Sequence, residues 1–212
     1  MMEYLSFFLK CFTTFFIIID PPGNLPIFIA LTEKFSDKMR ERISKRATLI
    51  ASTILVFTMV TGGRVLDYFG VSINSLRIAG GILLFLVSVD ILLGGMRRES
   101  YRRRAEESID VDSIAVFPLA LPLYTGPGAI TAGIVVYAQA TDIVMKVIAI
   151  LSAVLVYAIV RISHVYSSPV IRLLGKSGAD IIARILAIFL AAIATEFVFD
   201  GFYGQLSEMG LV

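Results

Sequence analysis

Residues 20–26 read DPPGNLP and interrupt a long apolar run near the N-terminus of the chain. Residues 122–131, PLYTGPGAIT, interrupt a second apolar run. The Pro-Gly pairs at 22–23 and 127–128 are 105 positions apart, about half of the 212 residues. Proline removes a backbone donor and glycine tolerates strained dihedral angles, so each stretch predicts a break within a helix.

The surrounding sequence is typical of an integral membrane protein. It is 57% hydrophobic and 17% charged, with a mean hydropathy of +0.85, whereas soluble domains are about 45–50% apolar and about 25% charged. A span takes about 20 apolar residues, and its backbone groups must pair within a helix because lipid offers no partners. Six such helices are predicted, roughly at residues 5–31, 47–63, 78–96, 113–141, 147–160 and 181–199.

Lysine and arginine predict the orientation of these spans. Residues 34–46 contain six basic side chains, residues 97–104 contain five, and Arg172 and Lys176 lie between the last two spans. With six spans these three loops share one side, which the positive-inside rule makes cytoplasmic. We therefore expect a multi-pass protein of the plasma (inner) membrane with both termini extracytoplasmic.

The two halves of the chain resemble each other beyond the Pro-Gly pairs. When the third and sixth predicted spans are aligned, Arg77 pairs with Arg184, and Asp90 falls within one position of Glu196. Each half has three helices, an odd number, so tandem copies insert with opposite orientation. The expected fold is all-α, with six transmembrane helices as two inverted three-helix repeats whose first helices are broken. The expected boundaries are a first repeat at residues 1–98, a charged cytoplasmic linker at 99–112 and a second repeat at 113–212.

The two breaks predict a site for a small solute. The N-terminal end of a half-helix carries partial positive charge and suits a substrate carboxylate; the alternative is that the prolines only kink helices for packing. Asp20 could bind the substrate ammonium, hold a cation, take a proton, or simply cap the half-helix that follows it. Asp90 and Glu196 are further candidates for ion coupling, or interfacial side chains near the ends of their spans. The predicted substrate-binding residues are Asp20, Pro22, Gly23, Asn24, Thr125, Pro127, Gly128 and Ala129.

Four stretches resemble the MarC family: DPPGNLPIF from residue 20, FGVSINSLRIAGG from residue 69, PLYTGPGAIT from residue 122 and ARILAIFLAAIATEFV from residue 183. The resemblance extends over nearly the whole chain. It implies a six-helix inner-membrane protein that moves glycine, alanine or similar small neutral amino acids by symport with an ion, protons before sodium. It also places Asp20, Asn24 and both Pro-Gly pairs on motif positions of the family.

Other functions find little support in the sequence. Cys11 and His164 are the only residues of their types, and no nucleotide-binding GxxxxGK[ST] or hydrolase GxSxG motif is present, so we expect no enzyme, metal or cofactor. The net charge of +2 predicts no nucleic-acid partner; the lipid bilayer is the expected surroundings, and no oligomeric state follows. An exporter of other solutes or drugs and a non-transporting membrane protein remain alternatives. His164 is expected at a solvated membrane face, and Tyr124 either closes a cavity or packs.

Overall fold

The structure, a computed structural model, describes residues 2–94 and 111–211. Helices account for most of these residues, and no strand occurs among them. The predicted linker at 99–112 lies almost wholly outside the described residues. The helices are α1 (Met2–Ile19), α2 (Pro21–Thr32), α3 (Asp37–Tyr68), α4 (Ile73–Leu92), α5 (Val111–Ile114), a π-helical segment (Ala115–Tyr124), α6 (Pro127–Ala138), α7 (Ile143–Val165) and α8 (Ser167–Glu208).

The helices confirm a multi-pass membrane protein. In the described part of the chain, five helical stretches are long and apolar enough to cross a bilayer: Met2–Thr32, Asp37–Tyr68, Ile73–Leu92, Ile143–Val165 and Asp180–Glu208. The π-helical segment and α6 make a sixth if they are taken together as one span with a bend of 56°. The membrane in which the protein resides and the orientation of its termini stay predictions.

Basic residues that the sequence analysis assigned to loops are mostly helical. α3 begins at Asp37, so most of the basic stretch at 34–46 forms its first turns, and Arg172 and Lys176 lie within α8. Lys, Arg and Glu are good helix formers, so a helix can continue past the apolar run that crosses the membrane. With 32 residues, α3 is about 48 Å long, which exceeds the roughly 30 Å of a bilayer core.

Several of the contacts between helices recur when the two halves are exchanged. α4 packs along α8, and α3 packs on α7. α1 packs on α7, and its counterpart in the second half, the π-helical segment, packs on α3. In the same way α2 packs on α8, and its counterpart α6 packs on α4. Each of these contacts has a counterpart when the halves are exchanged, which agrees with a duplicated three-helix unit. The inverted orientation of the two units stays a prediction.

Small residues bring α4 and α8 close together. A Cβ atom on Gly81 would lie 2.6 Å from the carbonyl oxygen of Ala194 and 2.7 Å from Cγ2 of Val198. A Cβ on Gly201 would lie 2.8 Å from the carbonyl oxygen of Asn74. Membrane helices associate largely through van der Waals packing, so glycine here permits a backbone approach that a side chain would prevent.

Gly81→Leu is expected to lower the free energy of unfolding by about 1–3 kcal/mol, because the new side chain meets backbone atoms of α8 that cannot rotate away. Thermal unfolding of the purified protein in detergent measures this. Gly63→Leu is the matched control, because a Cβ there meets nothing within 4 Å. An unchanged melting temperature for Gly81→Leu would contradict the close packing of α4 on α8.

Candidate functional site

The first break consists of one residue. α1 ends at Ile19, Asp20 has left-handed backbone angles (φ 49°, ψ 63°), and α2 begins at Pro21. The Gly23 N–H donates to Oδ1 of Asp20 at 3.0 Å, and Nδ2 of Asn24 donates to the carbonyl oxygen of Ile19 at 2.6 Å. Asp20 therefore caps α2, which confirms that alternative for its role; its side chain is only 3% exposed.

Glycine at position 23 leaves room for the cap. A Cβ atom there would overlap the Asp20 carboxylate and would lie 2.7 Å from Cβ of Ala183 on α8. The residue thus allows both the cap and the close approach of α2 to α8. Its neighbour Pro22 occupies the first turn of α2, where no intrahelical N–H is needed.

The second break is longer than the first. Within the π-helical segment, Phe117 and Leu121 have extended backbone angles, and α6 begins only at Pro127, after Gly126. A Cβ on Gly126 would lie 2.7 Å from the carbonyl oxygen of Pro122, so this tight turn requires glycine. No side chain caps the N-terminus of α6. The two Pro-Gly motifs therefore both interrupt helices, but they do so in different ways.

A cavity of about 110 Å³ lies between the two breaks; we call it the central cavity. Its polar lining includes Asp20, Asn24 and Asp90, and its apolar walls include Ile18, Leu84 and Val87. The first turn of α6 completes it through Pro127, Gly128 and Ala129. A cavity needs roughly 10–15 Å³ on this measure to hold one water molecule, so the central cavity has room for more than one. The cavity thus brings together residues of both motifs.

Other predicted site residues lie outside the lining of this cavity. Pro22 and Gly23 shape the start of α2, and Thr125 is buried against α3 and α7. Glu196 is exposed on the surface of α8, which continues for 12 residues beyond it to Glu208. The expectation that Glu196 lies near the end of its membrane span stays a prediction, because a helix can continue past the membrane; Asp90 lies two residues before the end of α4.

A buried polar network lies behind the second break. The Tyr124 hydroxyl is 2.7 Å from Nε2 of His164, and Nδ1 of the same ring is 2.8 Å from Oγ of Ser44. The imidazole stacks on Phe28 with ring centroids 3.7 Å apart. His164 is only 5% exposed, so its expected place at a solvated membrane face is wrong. The C-terminal turn of α7 is covered by α2 and α3.

The next residue of the break is bonded in a similar way. Oγ1 of Thr125 donates to the carbonyl oxygen of Ala51 on α3 at 3.0 Å. The Tyr157 hydroxyl on α7 lies 2.5 Å from the same Oγ1 and 3.3 Å from the carbonyl oxygen of Tyr124. The second break is thus joined by hydrogen bonds to both α3 and α7.

A family model described as MarC family integral membrane protein matches residues 5–206. The chain belongs to the MarC family. Among its relatives is a UPF0056 membrane protein of Archaeoglobus fulgidus, 78% identical over 208 residues that cover 98% of each chain. A UPF0056 membrane protein of Aquifex aeolicus is 31% identical over 98% of each chain. The UPF0056 membrane protein YhcE of Escherichia coli is 31% identical over 93% of this chain and 92% of its own. No solved structure matches the chain.

In this MarC-family protein, Ser44 and Tyr157 are parts of the site that were not predicted from the sequence. A signal was present in their spacing. Tyr157 and His164 are seven residues apart on α7, and Ser44 and Ala51 are seven apart on α3. Seven residues make about two helical turns, so each pair shares one face. The sequence thus indicated a polar face on α7, but it did not indicate that this face bonds with Tyr124 and Thr125 of the second break.

Proposed function

We propose that this MarC-family protein is a secondary transporter of small neutral amino acids, glycine and alanine, which bind in the central cavity. The observation that carries the proposal is that residues from both breaks line this cavity: Asp20 and Asn24 beside the first Pro-Gly pair, and Pro127 and Gly128, which form the second. Non-helical backbone at membrane depth is tolerated where it lines a cavity, and substrates of such carriers bind at broken helices.

The first turn of α6 supports binding of the substrate carboxylate. The N–H groups of Gly128 and Ala129 have no acceptor in the preceding turn of their own helix, and Gly126 offers no capping side chain. The helix dipole adds partial positive charge at this point. At the first break, Pro21 and Pro22 have no N–H, and Gly23 donates to Asp20. We therefore assign the carboxylate to α6 alone instead of to both half-helices.

Asp20 and Asn24 support binding of the substrate ammonium at the other end of the cavity. A carboxylate has about four acceptor positions, so Asp20 can accept from a ligand in addition to Gly23. Asn24 uses its amide nitrogen for Ile19, which leaves its side-chain oxygen as an acceptor.

The size and apolar walls of the cavity support selection of small side chains. Its volume is about 110 Å³, and a Cβ on Gly128 would already lie 2.5 Å from Cδ2 of Leu84. Glycine and alanine therefore fit the proposal better than larger amino acids. Apolar side chains, including Ile18 and Val87, offer nothing to a charged side chain.

Asp90 supports coupling to a proton. It lines the same small cavity as Asp20, and carboxylates that face a cavity within the membrane mark the proton relays of transporters. The ammonium of the substrate would pair with one acid, and the coupled proton would bind to the other. The repeated helix contacts of the two halves support alternating access of the inverted-repeat kind.

Calorimetry with the purified protein tests the substrate. Glycine and alanine should release or absorb heat on binding, whereas leucine, which is too large for the cavity, should not. Heat from another class of solute and none from glycine or alanine would reject the assignment. In proteoliposomes, glycine uptake should require an inward proton gradient; uptake that follows sodium instead would reject the proton but not the substrate.

A further inference from the structure

The backbone of the second break depends on side chains that are distant in sequence. Thr125 donates its one hydroxyl proton to Ala51 of α3, so the Tyr157 hydroxyl must be the donor in the 2.5 Å contact with Thr125. Thr125 is separated from Ala51 by 74 positions and from Tyr157 by 32. None of these bonds is a helix bond, yet they hold the residue that precedes Gly126 and α6.

A second set of bonds holds the preceding residue. The Tyr124 hydroxyl meets His164, which in turn meets Ser44, and both ring nitrogens of His164 are engaged. Stacking on Phe28 of α2 fixes the plane of the imidazole. Tyr124 and Thr125 are at most 1% exposed, so a lost bond here would leave a buried polar group without water to replace its partner.

We propose that Tyr157 and His164 are positioning residues that hold the second break so that the first turn of α6 forms the wall of the central cavity. The main-chain bond from Thr125 to Ala120 closes the π-helical segment, and the bond from Ile130 to Gly126 opens α6. The direction of α6 relative to that segment therefore depends on the non-helical backbone angles of residues 125 and 126. The bonds from α7 restrain that backbone. The inference rests on the proposed function only where it predicts a weaker affinity for substrate.

Tyr157→Phe tests the proposal by removing one hydroxyl. Amide hydrogen exchange at residues 124–130 of the purified protein should rise at least about tenfold, and glycine should bind about tenfold more weakly, as expected for the loss of one buried hydrogen bond. Ser152→Ala is the matched control. Ser152 is a buried hydroxyl on the same helix, but it donates to Ile148 of its own helix, so neither quantity should change.

Thr125→Val provides a second variant if Tyr157→Phe does not fold. Valine keeps the shape of threonine and removes the hydroxyl that Tyr157 contacts, so it should produce the same two changes. Both variants remove the bond between Tyr157 and Thr125, and Thr125→Val also removes the bond to Ala51. The effect of the double variant should therefore be smaller than the sum of the two single effects. Two independent losses that add would instead indicate unrelated structural damage and would overturn the proposal.

His164→Phe tests the other set of bonds, since phenylalanine keeps the stacking on Phe28 and loses both hydrogen bonds. Hydrogen exchange at residues 124–130 should again rise. Unchanged exchange in both Tyr157→Phe and His164→Phe would overturn the positioning role. Hydrogen exchange does not require a substrate. If the wild-type protein does not bind glycine, only the proposed function is rejected, and the exchange measurements still test the positioning role.

Discussion

Asp20→Asn is expected to weaken glycine binding by about 10- to 150-fold and to leave the melting temperature of the protein nearly unchanged. Asparagine tolerates the left-handed backbone found at this residue and caps helices as well as aspartate does. What it lacks is the charge that the ammonium requires, and a hydrogen bond to a charged group contributes about 1.5–3 kcal/mol. Calorimetric titration with glycine and thermal unfolding measure the two quantities.

Asp20→Ala is the companion variant for the structural role of the same residue. Alanine loses the bond to the Gly23 N–H, which costs about 0.5–2 kcal/mol, and its left-handed conformation costs about 1–2 kcal/mol more. We therefore expect a clearly lower melting temperature in this variant only. Normal glycine binding by Asp20→Asn would show that Asp20 acts as a cap and that the ammonium is bound elsewhere.

Gly128→Val is expected to abolish glycine binding and uptake, the largest effect of any variant considered. The new Cβ would lie 2.5 Å from Cδ2 of Leu84, and the two methyl groups beyond it would fill much of the 110 Å³ cavity. Gly128→Ala should have an intermediate effect and should weaken alanine binding more than glycine binding. Binding isotherms for both ligands measure this order.

Gly63→Ala is the control for the Gly128 variants. Its Cβ meets no atom within 4 Å, so binding should be unaffected, while the higher helix propensity of alanine stabilises α3 by up to about 1 kcal/mol. Wild-type affinity for glycine in Gly128→Val would mean that the substrate site is not the central cavity.

The local chemistry of the breaks could be predicted from the sequence. Asp20 followed by two prolines and Gly23 contains its own cap and its own helix start, and the structure has both. The tight turn before Pro127 is likewise predictable from the glycine at position 126. These features depend on neighbours within a few residues, and such neighbours are visible in a single sequence.

The polar network could not be predicted because it depends on tertiary contacts. His164 follows Arg161 at the end of an apolar run, which suggests a hydrated membrane face. Its burial comes from Phe28 and Ser44, which are more than a hundred positions away. The same reason applies to Thr125, a motif residue whose hydroxyl bonds with α3 and α7.

Hydropathy could not predict the lengths of the helices either. The apolar part of the last span ends near residue 199, but α8 continues to Glu208, which leaves Glu196 far from the helix end. Charged residues that favour helices extend α3 in the same manner at its N-terminal end. Hydropathy located the spans, and helix propensity decided where the helices end.

For the proposed transporter, the unequal breaks have a consequence for the cycle of alternating access. A carrier built from two identical units could swap their shapes at no net change in free energy, and its empty form would face both sides equally. Here one unit bends at the single residue Asp20, while the other unwinds around Leu121 and again at Thr125 and Gly126. The swapped arrangement therefore differs in energy from this one, and the unloaded carrier should rest predominantly towards one side of the membrane.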